Sequence, residues 1–110
     1  MDKSDALAAF SALAQPTRLD VFRLLVGTGN DGMLSGEIGE RLDVRQNTMS
    51  ANLAVLARSG LVRSVRDGRT VRYFADFDGI RRLLGFLMED CCGGRPDRCQ
   101  PVLDEIVHAC

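Results

Sequence analysis

Three of the four cysteines in this chain lie within nine residues, in the segment CCGGRPDRC from Cys91 to Cys99. Soft, thiophilic ions prefer thiolates over oxygen donors. Trivalent arsenic forms three bonds in a pyramid, so Cys91, Cys92 and Cys99 would saturate it, whereas zinc favours four ligands in a tetrahedron. The cluster is therefore predicted to bind As(III), with Sb(III) as the other candidate, and no organic cofactor is expected.

The backbone at this cluster must depart from a regular helix, because adjacent residues of a helix cannot both lie on one face. Gly93 and Gly94 supply the backbone freedom, and Pro96 is expected to help fold the segment back so that Cys99 closes the site.

Other interpretations of the cluster stay open. The thiols could be incidental, Cys91 or Cys92 could form a disulfide with Cys99, or oxidation of the cluster could itself be a signal. Cys110 could complete a four-thiolate site for zinc, cadmium or lead. The one histidine, His108, is expected to be solvated. No acid–base groups of the kind an enzyme needs accompany the thiols, so catalysis is not expected.

The composition, 45% hydrophobic and 26% charged over 110 residues, is typical of one soluble globular domain. No apolar run approaches the ~18 residues of a membrane span, and the start MDKSDALAAF lacks the features of a signal peptide. A cytoplasmic protein is expected, in which clustered thiols stay reduced.

Charge is distributed unevenly along the chain. Residues 1–43 and 73–110 each carry a net charge of −3, whereas residues 44–72 carry six arginines against Asp67 alone, a net charge of +5. A basic middle between acidic flanks is typical of localised contact with a polyanion.

The hydrophobic periodicity predicts a mainly α fold with a small β-hairpin. Leu7, Phe10 and Ala14 repeat at helical spacing in a first helix, and Pro16 suits the start of a second. Ser35 is expected to cap a short third helix. A fourth helix ends at Gly60. Its predicted core face consists of Met49, Leu53, Leu56 and Ala57.

The segment LVRSVRDGRTVRYF changes to the period of a strand, and Asp67-Gly68 within it is a strong hairpin signal. A long helix is predicted over about 77–90. Its apolar stripe consists of Ile80, Leu84, Leu87 and Met88. Pro101 is expected to start a short terminal helix.

A short helix, a tight turn, a second helix and an arginine-lined hairpin make a winged helix-turn-helix. Such a fold can place the second helix of the pair in the major groove and the hairpin along phosphates or an adjacent minor groove. A solvated arginine face is the alternative. The predicted DNA-binding residues are Arg45, Gln46, Asn47, Thr48, Ser50, Arg63, Arg66, Arg69 and Arg72.

The segments ALAQPTRLDVFRLL, GEIGERLDVRQNTMSANLAVLARSGLV and RDGRTVRYF together resemble the ArsR/SmtB family of metal-sensing winged-helix repressors, over about residues 6–88. The resemblance implies a homodimer joined through the first and last helices. It also implies that the dimer binds double-stranded operator DNA of imperfect two-fold symmetry, with base contacts from the start of the fourth helix, and releases it when an inducer binds. Many relatives have histidine where Asn52 stands.

Three inducer sites of that family do not fit this sequence. The third helix has no Cys-x-Cys, the last long helix has no histidine, and the second helix has no cysteine for a persulfide pair. The segment CCGGRPDRC instead resembles the C-terminal arsenite site of a subgroup. We therefore expect residues 1–90 to form the DNA-binding and dimerisation domain and residues 91–110 to form the inducer-binding tail.

Serine at Cys91, Cys92 or Cys99 is expected to leave DNA affinity intact and to abolish release by arsenite, because two thiolates leave one arsenic bond unfilled. Mobility-shift titrations with arsenite measure both properties. A variant without Cys99 that still dissociates at the wild-type arsenite concentration would contradict the three-thiol site.

Overall fold

The computed structural model describes residues 1–89 and 96–109. They confirm the predicted fold class, mainly α-helical with a small β wing, in a winged helix-turn-helix arrangement. The elements are α1 (Lys3–Leu13), α2 (Pro16–Thr28), β1 (Met33–Leu34), α3 (Ser35–Leu42), α4 (Gln46–Arg58), β2 (Val62–Asp67), β3 (Thr70–Ala75), α5 (Phe77–Leu87) and α6 (Pro96–Ala109). In the described residues, no helix is both long enough and apolar enough to span a bilayer.

The first two helices start on side-chain caps. The Asp2 carboxylate accepts a hydrogen bond from the Asp5 N–H at 2.8 Å, and the Asp5 carboxylate accepts one from the Asp2 N–H at 3.2 Å. This reciprocal pair satisfies two N–H groups that a helix start leaves without partners. At α2, Pro16 occupies the first helical position as predicted, and the Gln15 side chain caps the helix from the preceding residue.

The start of α3 corrects one prediction. Ser35 is the first helical residue rather than the cap, which is Leu34, and the Glu37 carboxylate accepts the Leu34 N–H at 3.0 Å. Leu34 can serve as the cap because it ends β1, a strand that the periodicity did not predict. β1 pairs antiparallel with β3, which gives a three-stranded sheet of order β1-β3-β2.

The hairpin is confirmed, with its turn one residue later than predicted. Asp67 pairs with Thr70, so Gly68 and Arg69 form the two-residue turn and Arg69 lies at the tip. Gly68 has φ +63°, the left-handed conformation that this kind of turn requires and that glycine adopts without strain.

The core lies between α1, α2, α3, α4 and the base of the sheet, and it includes Leu83 of α5. α1 buries a face of small residues, Ala6, Ala9 and Ala12, while Leu7 is 58% exposed and Phe10 is 40% exposed. The apolar repeat of Leu7 and Phe10 thus lies outside the core of the single chain. Alanine allows neighbouring helix backbones to approach, and the larger side chains point outward. Ala57 of α4 and Ala14 are also exposed.

α5 also leaves two large residues of its predicted apolar stripe exposed, and α6 starts earlier than predicted. α5 buries Gly79 and Leu83, while Leu84 is 42% and Leu87 is 55% exposed. α6 starts at Pro96, not Pro101, and Pro101 lies inside the helix. A proline there removes one intrahelical hydrogen bond. Residues 90–95, which contain the predicted boundary between domain and tail, lie outside the described residues.

The first turn of α5 is seated directly on the end of α4. The Asp76 N–H donates to the Leu61 carbonyl at 2.9 Å, and the Asp76 carboxylate caps α5 by accepting the Gly79 N–H at 3.1 Å. Gly60 has φ +79°, as predicted for the end of α4. A Cβ at Gly79 would overlap the Gly60 carbonyl oxygen, so the two segments fit only with glycine at position 79.

Alanine at Gly79 is expected to lower the free energy of unfolding by about 1–3 kcal/mol, the usual range for overpacking. Gly85, in the same helix, has open space where its Cβ would lie. Gly85→Ala is the matched control and is expected to raise the free energy of unfolding by about 0.5–1 kcal/mol through helix propensity. Urea unfolding followed by circular dichroism measures both. Equal stabilities of the two variants would contradict the close contact.

Candidate nucleic-acid interface

The helix–turn–helix pair is held by a tight turn and a shared core. Asp43 ends α3 with φ 54°, and the Val44 N–H donates to the Gly39 carbonyl at 2.9 Å. Ile38 of α3 and Met49 and Leu53 of α4 belong to the same buried cluster and are fully inaccessible to solvent. The burial of these side chains fixes which face of α4 is turned to solvent.

The five DNA-binding residues predicted at the start of α4 are all exposed: Arg45, Gln46, Asn47, Thr48 and Ser50. Met49, which lies between Thr48 and Ser50 in the sequence, is buried. The Asn47 side-chain oxygen accepts the Thr48 N–H at 2.9 Å. Gln46 and Asn47 carry the amides that pair with adenine edges, and the hydroxyls of Thr48 and Ser50 suit bases or phosphates. The first turn of α4 has no acidic residue, so its positive helix end faces solvent uncompensated.

The register of the wing divides its arginines between two faces. Arg63 lies opposite Phe74, and Val65 lies opposite Arg72, so Arg63 and Arg72 share one face of the hairpin. Arg66 lies opposite Val71 on the other face.

Two of these arginines are held against the protein. The Arg63 guanidinium lies 4.3 Å from the centroid of the Phe74 ring, and Arg72 Nη1 donates to the Asp31 carbonyl at 3.1 Å. In the part of the chain that the structure describes, neither the Arg66 nor the Arg69 side chain has a hydrogen-bond or ion-pair partner. Arg66 and Arg69 are thus the wing side chains available for phosphates, a distinction that charge counting missed. The correct register of β2 and β3 would have been enough to identify Phe74 as the neighbour of Arg63.

Of the cysteine cluster, the structure describes Cys99 only; Cys91, Cys92 and Cys110 lie outside the described residues. Cys99 is half-buried in the first turn of α6 and lines a groove of about 420 Å³ with Leu84, Leu87 and Met88 of α5. It is disulfide-bonded in this structure. A thiol in a disulfide cannot ligate an ion as a thiolate, so the three-thiol site is a prediction about the reduced protein.

Among the described residues, no three histidine, cysteine or acidic side chains gather as a metal site. The ion-binding prediction therefore rests on the cysteine segment.

Comparison with known proteins gives matches over most of the chain. Residues 13–65 match the family model described as a helix-turn-helix domain. The chain is 32% identical over 95 residues to the transcriptional activator HlyU of Vibrio cholerae serotype O1, with 84% of each sequence covered.

Solved structures match as well. An ArsR-like transcriptional regulator from Rhodococcus sp. RHA1 has a TM-score of 0.68 at 26% identity, covering 94% of this chain and 92% of that one. Mb0332 from Mycobacterium bovis, described as a homodimeric winged helix-turn-helix DNA-binding domain, shares the fold at 24% identity with a TM-score of 0.65, covering 97% of this chain and 85% of that one.

Glutamine at Arg66 or Arg69 is expected to weaken DNA binding and to reduce the slope of log affinity against log salt by about 1, because each removes about one phosphate contact. Folding stability should change by less than ~0.5 kcal/mol. Arg63→Gln is the contrast on the same hairpin, expected to lower the free energy of unfolding by about 0.5–1 kcal/mol through loss of the contact with Phe74.

Fluorescence anisotropy at several salt concentrations and thermal unfolding separate these effects. An unchanged salt slope in both the Arg66 and Arg69 variants would show that the wing tip does not contact phosphates.

Proposed function

The chain belongs to the ArsR/SmtB-type family of winged-helix transcriptional regulators, and from this premise we propose that it acts as a homodimeric repressor that binds an operator. The observation that carries the proposal is the exposed polar start of α4, fixed by buried Met49 and Leu53 next to an arginine-bearing wing. A helix so presented fits the major groove, and the wing then reaches the neighbouring backbone.

A dimer is supported by the large apolar side chains that the single chain leaves exposed. Leu7 and Phe10 lie on the outer face of α1, and Leu84 and Leu87 lie on the outer face of α5. α1 packs against α5, so these helices lie side by side. Exposed apolar side chains on neighbouring helices are typical of a subunit interface. The homodimeric description of the Mycobacterium bovis protein supports the same assembly.

Two-fold symmetry of the protein requires two-fold symmetry of the operator. The two copies of α4 would enter successive major grooves, with half-site centres about 10–10.5 base pairs apart. The position of the operator relative to the promoter sets the sign of regulation, so the activator name of HlyU is compatible with the same DNA-binding scaffold. Here we propose repression by occupancy of the promoter, in the cytoplasm.

We further propose that the inducer is trivalent arsenic or antimony, held by Cys91, Cys92 and Cys99 in the reduced protein. The residue types support this, because three thiolates complete the coordination of such an ion without a fourth ligand. The placement of Cys99 also supports it, since Cys99 lies beside the last turns of α5.

An ion at these cysteines would tie the tail to the end of α5 and change the packing of this helix at the dimer interface. A coupling free energy of about 1–3 kcal/mol would weaken DNA binding ~5–150-fold.

Selection of duplexes from a random DNA library tests the DNA-binding proposal. The wild-type protein is expected to enrich inverted half-sites at the spacing above. Gln46→Ala should lose about 1–3 kcal/mol of discrimination at one base position of each half-site. Gln100→Ala, a substitution of an exposed glutamine on α6, is the matched control and should select the same sequence as wild type. Failure of the wild type to enrich any sequence at low salt would contradict the proposed function.

A release titration with the selected duplex tests the inducer. The protein is first reduced and then titrated with arsenite, antimonite, cadmium, lead, zinc or peroxide. Release by arsenite or antimonite at one ion per chain is the expected result. Release by zinc, cadmium or lead alone would point to a four-thiolate site, and release by peroxide alone would point to thiol oxidation; either result would overturn the arsenic proposal.

A further inference from the structure

The side chain of Arg18 joins α1, a helix of the proposed dimer surface, to α4, the proposed DNA-reading helix. Arg18 lies near the start of α2, where its own N–H donates to the Gln15 side chain at 2.8 Å. Its guanidinium Nε donates to the Ala12 carbonyl at 2.6 Å, and Nη2 reaches the Ser11 carbonyl at 3.5 Å. Nη1 points the other way and donates to Asn52 Oδ1 at 3.4 Å. One planar group therefore links the end of α1 to the middle of α4.

The partner on α4 is unusual for this protein. Asn52 is 8% exposed, and it is the one buried polar side chain within residues 1–89 and 96–109. It lies one helical turn after Thr48, on the helix that presents Gln46 and Asn47. A buried amide needs hydrogen-bond partners, and an apolar residue at this position would avoid that requirement. The amide is thus better explained by the link to Arg18 than by packing alone.

The other end of the link also requires a cation. The last turn of α1 reads FSAL, so the partial negative charge on its final carbonyl groups is compensated only from outside the helix. Arginine suits this place because its rigid fork of donors can serve carbonyls on one helix and an amide on another at the same time. Lysine would supply the charge but concentrates its donors at one atom.

We propose that Arg18 is a positioning residue for DNA binding, which fixes the orientation of α4 relative to α1 through Asn52. This rests on the proposed function, since α1 contributes Leu7 and Phe10 to the proposed dimer surface. The distance between the two α4 helices in the dimer then depends on how each α4 is held to its own α1. Loss of the link leaves fold and dimer in place but widens the range of half-site spacings that the dimer accepts.

The C-terminal end of α4 is held independently, by the seating of α5 at Gly60 and Leu61. These two attachments join α4 to the two helices of the proposed dimer surface and add to the core packing of Met49, Leu53 and Leu56. A side chain at Gly79 would overlap the Gly60 carbonyl, whereas the Arg18 link can be weakened without adding atoms to the core. The Arg18 link is therefore the one tested.

The first measurement uses the selected duplex and two others, with one base pair inserted or removed between the half-sites. Arg18→Lys is expected to weaken binding to the selected duplex about tenfold, as for an interaction between residues in one hydrogen-bond network. The preference for the selected spacing over the altered spacings should fall by a similar factor. A loss of stability alone would weaken binding to all three duplexes equally. Arg23→Lys, an exposed arginine on α2, is the matched control and should keep both values.

The second measurement is a double-mutant cycle. Asn52→Ala should weaken binding about tenfold, and the double variant should be no weaker than either single variant, because both changes break one link. Sedimentation and thermal unfolding establish that each variant remains a folded dimer. An additive loss of ~100-fold in the double variant, or an unchanged spacing preference in Arg18→Lys, would overturn the positioning role. If the wild type enriches no duplex at all, the proposed function itself fails, and unfolding of the same four proteins still reports whether Arg18 and Asn52 are coupled.

Discussion

The burial of one face of α4 is the constraint on which the rest of the site depends. Met49, Leu53 and Leu56 are fully inaccessible to solvent, so α4 has only one rotation about its axis in which these side chains stay out of water. That rotation places Gln46, Asn47, Thr48 and Ser50 on the solvent side of the helix. The polar start of α4 can therefore be kept free for DNA, because the core supplies the orientation.

Close packing through small residues explains why large apolar side chains are exposed on α1 and α5. α1 uses Ala6, Ala9 and Ala12 to approach the core closely, and α5 uses Gly79 to approach the end of α4. Small residues on the inner faces leave the larger ones, such as Leu7 and Leu87, on the outer faces. A protein of this size gains stability when such faces are covered by a second subunit. In the proposed dimer, the small residues of α1 and α5 would serve packing within the subunit, and the larger exposed side chains would meet the second subunit.

The wing shows how a hairpin can combine structural and functional arginines. Arg72 donates to the Asp31 carbonyl and so ties the hairpin to the body of the domain, whereas Arg63 lies against Phe74 of the neighbouring strand within the hairpin. Arg66 and Arg69, farther out, keep their charge directed to solvent. The tip arginines have no partner within the described protein, whereas the rest of the hairpin is fixed by its contacts. Fixing the hairpin in advance limits the backbone conformational entropy that is lost when the tip binds a phosphate.

The sequence alone determined the helix–turn–helix, the hairpin, the exposed start of α4 and the cysteine cluster, because helical and strand periodicity and turn chemistry are local properties. The buried faces of α1 and α5 were not predictable in this way, since a helix with apolar residues on two faces does not reveal which face meets the core. The register of the β2–β3 hairpin was also not determined by the sequence. A turn centred on Asp67-Gly68 would pair Arg63 with Arg72, whereas the observed turn at Gly68-Arg69 pairs Arg63 with Phe74. Only the tertiary structure brought Arg18 to Asn52, 34 positions apart in sequence, because contacts between distant segments depend on how whole helices pack.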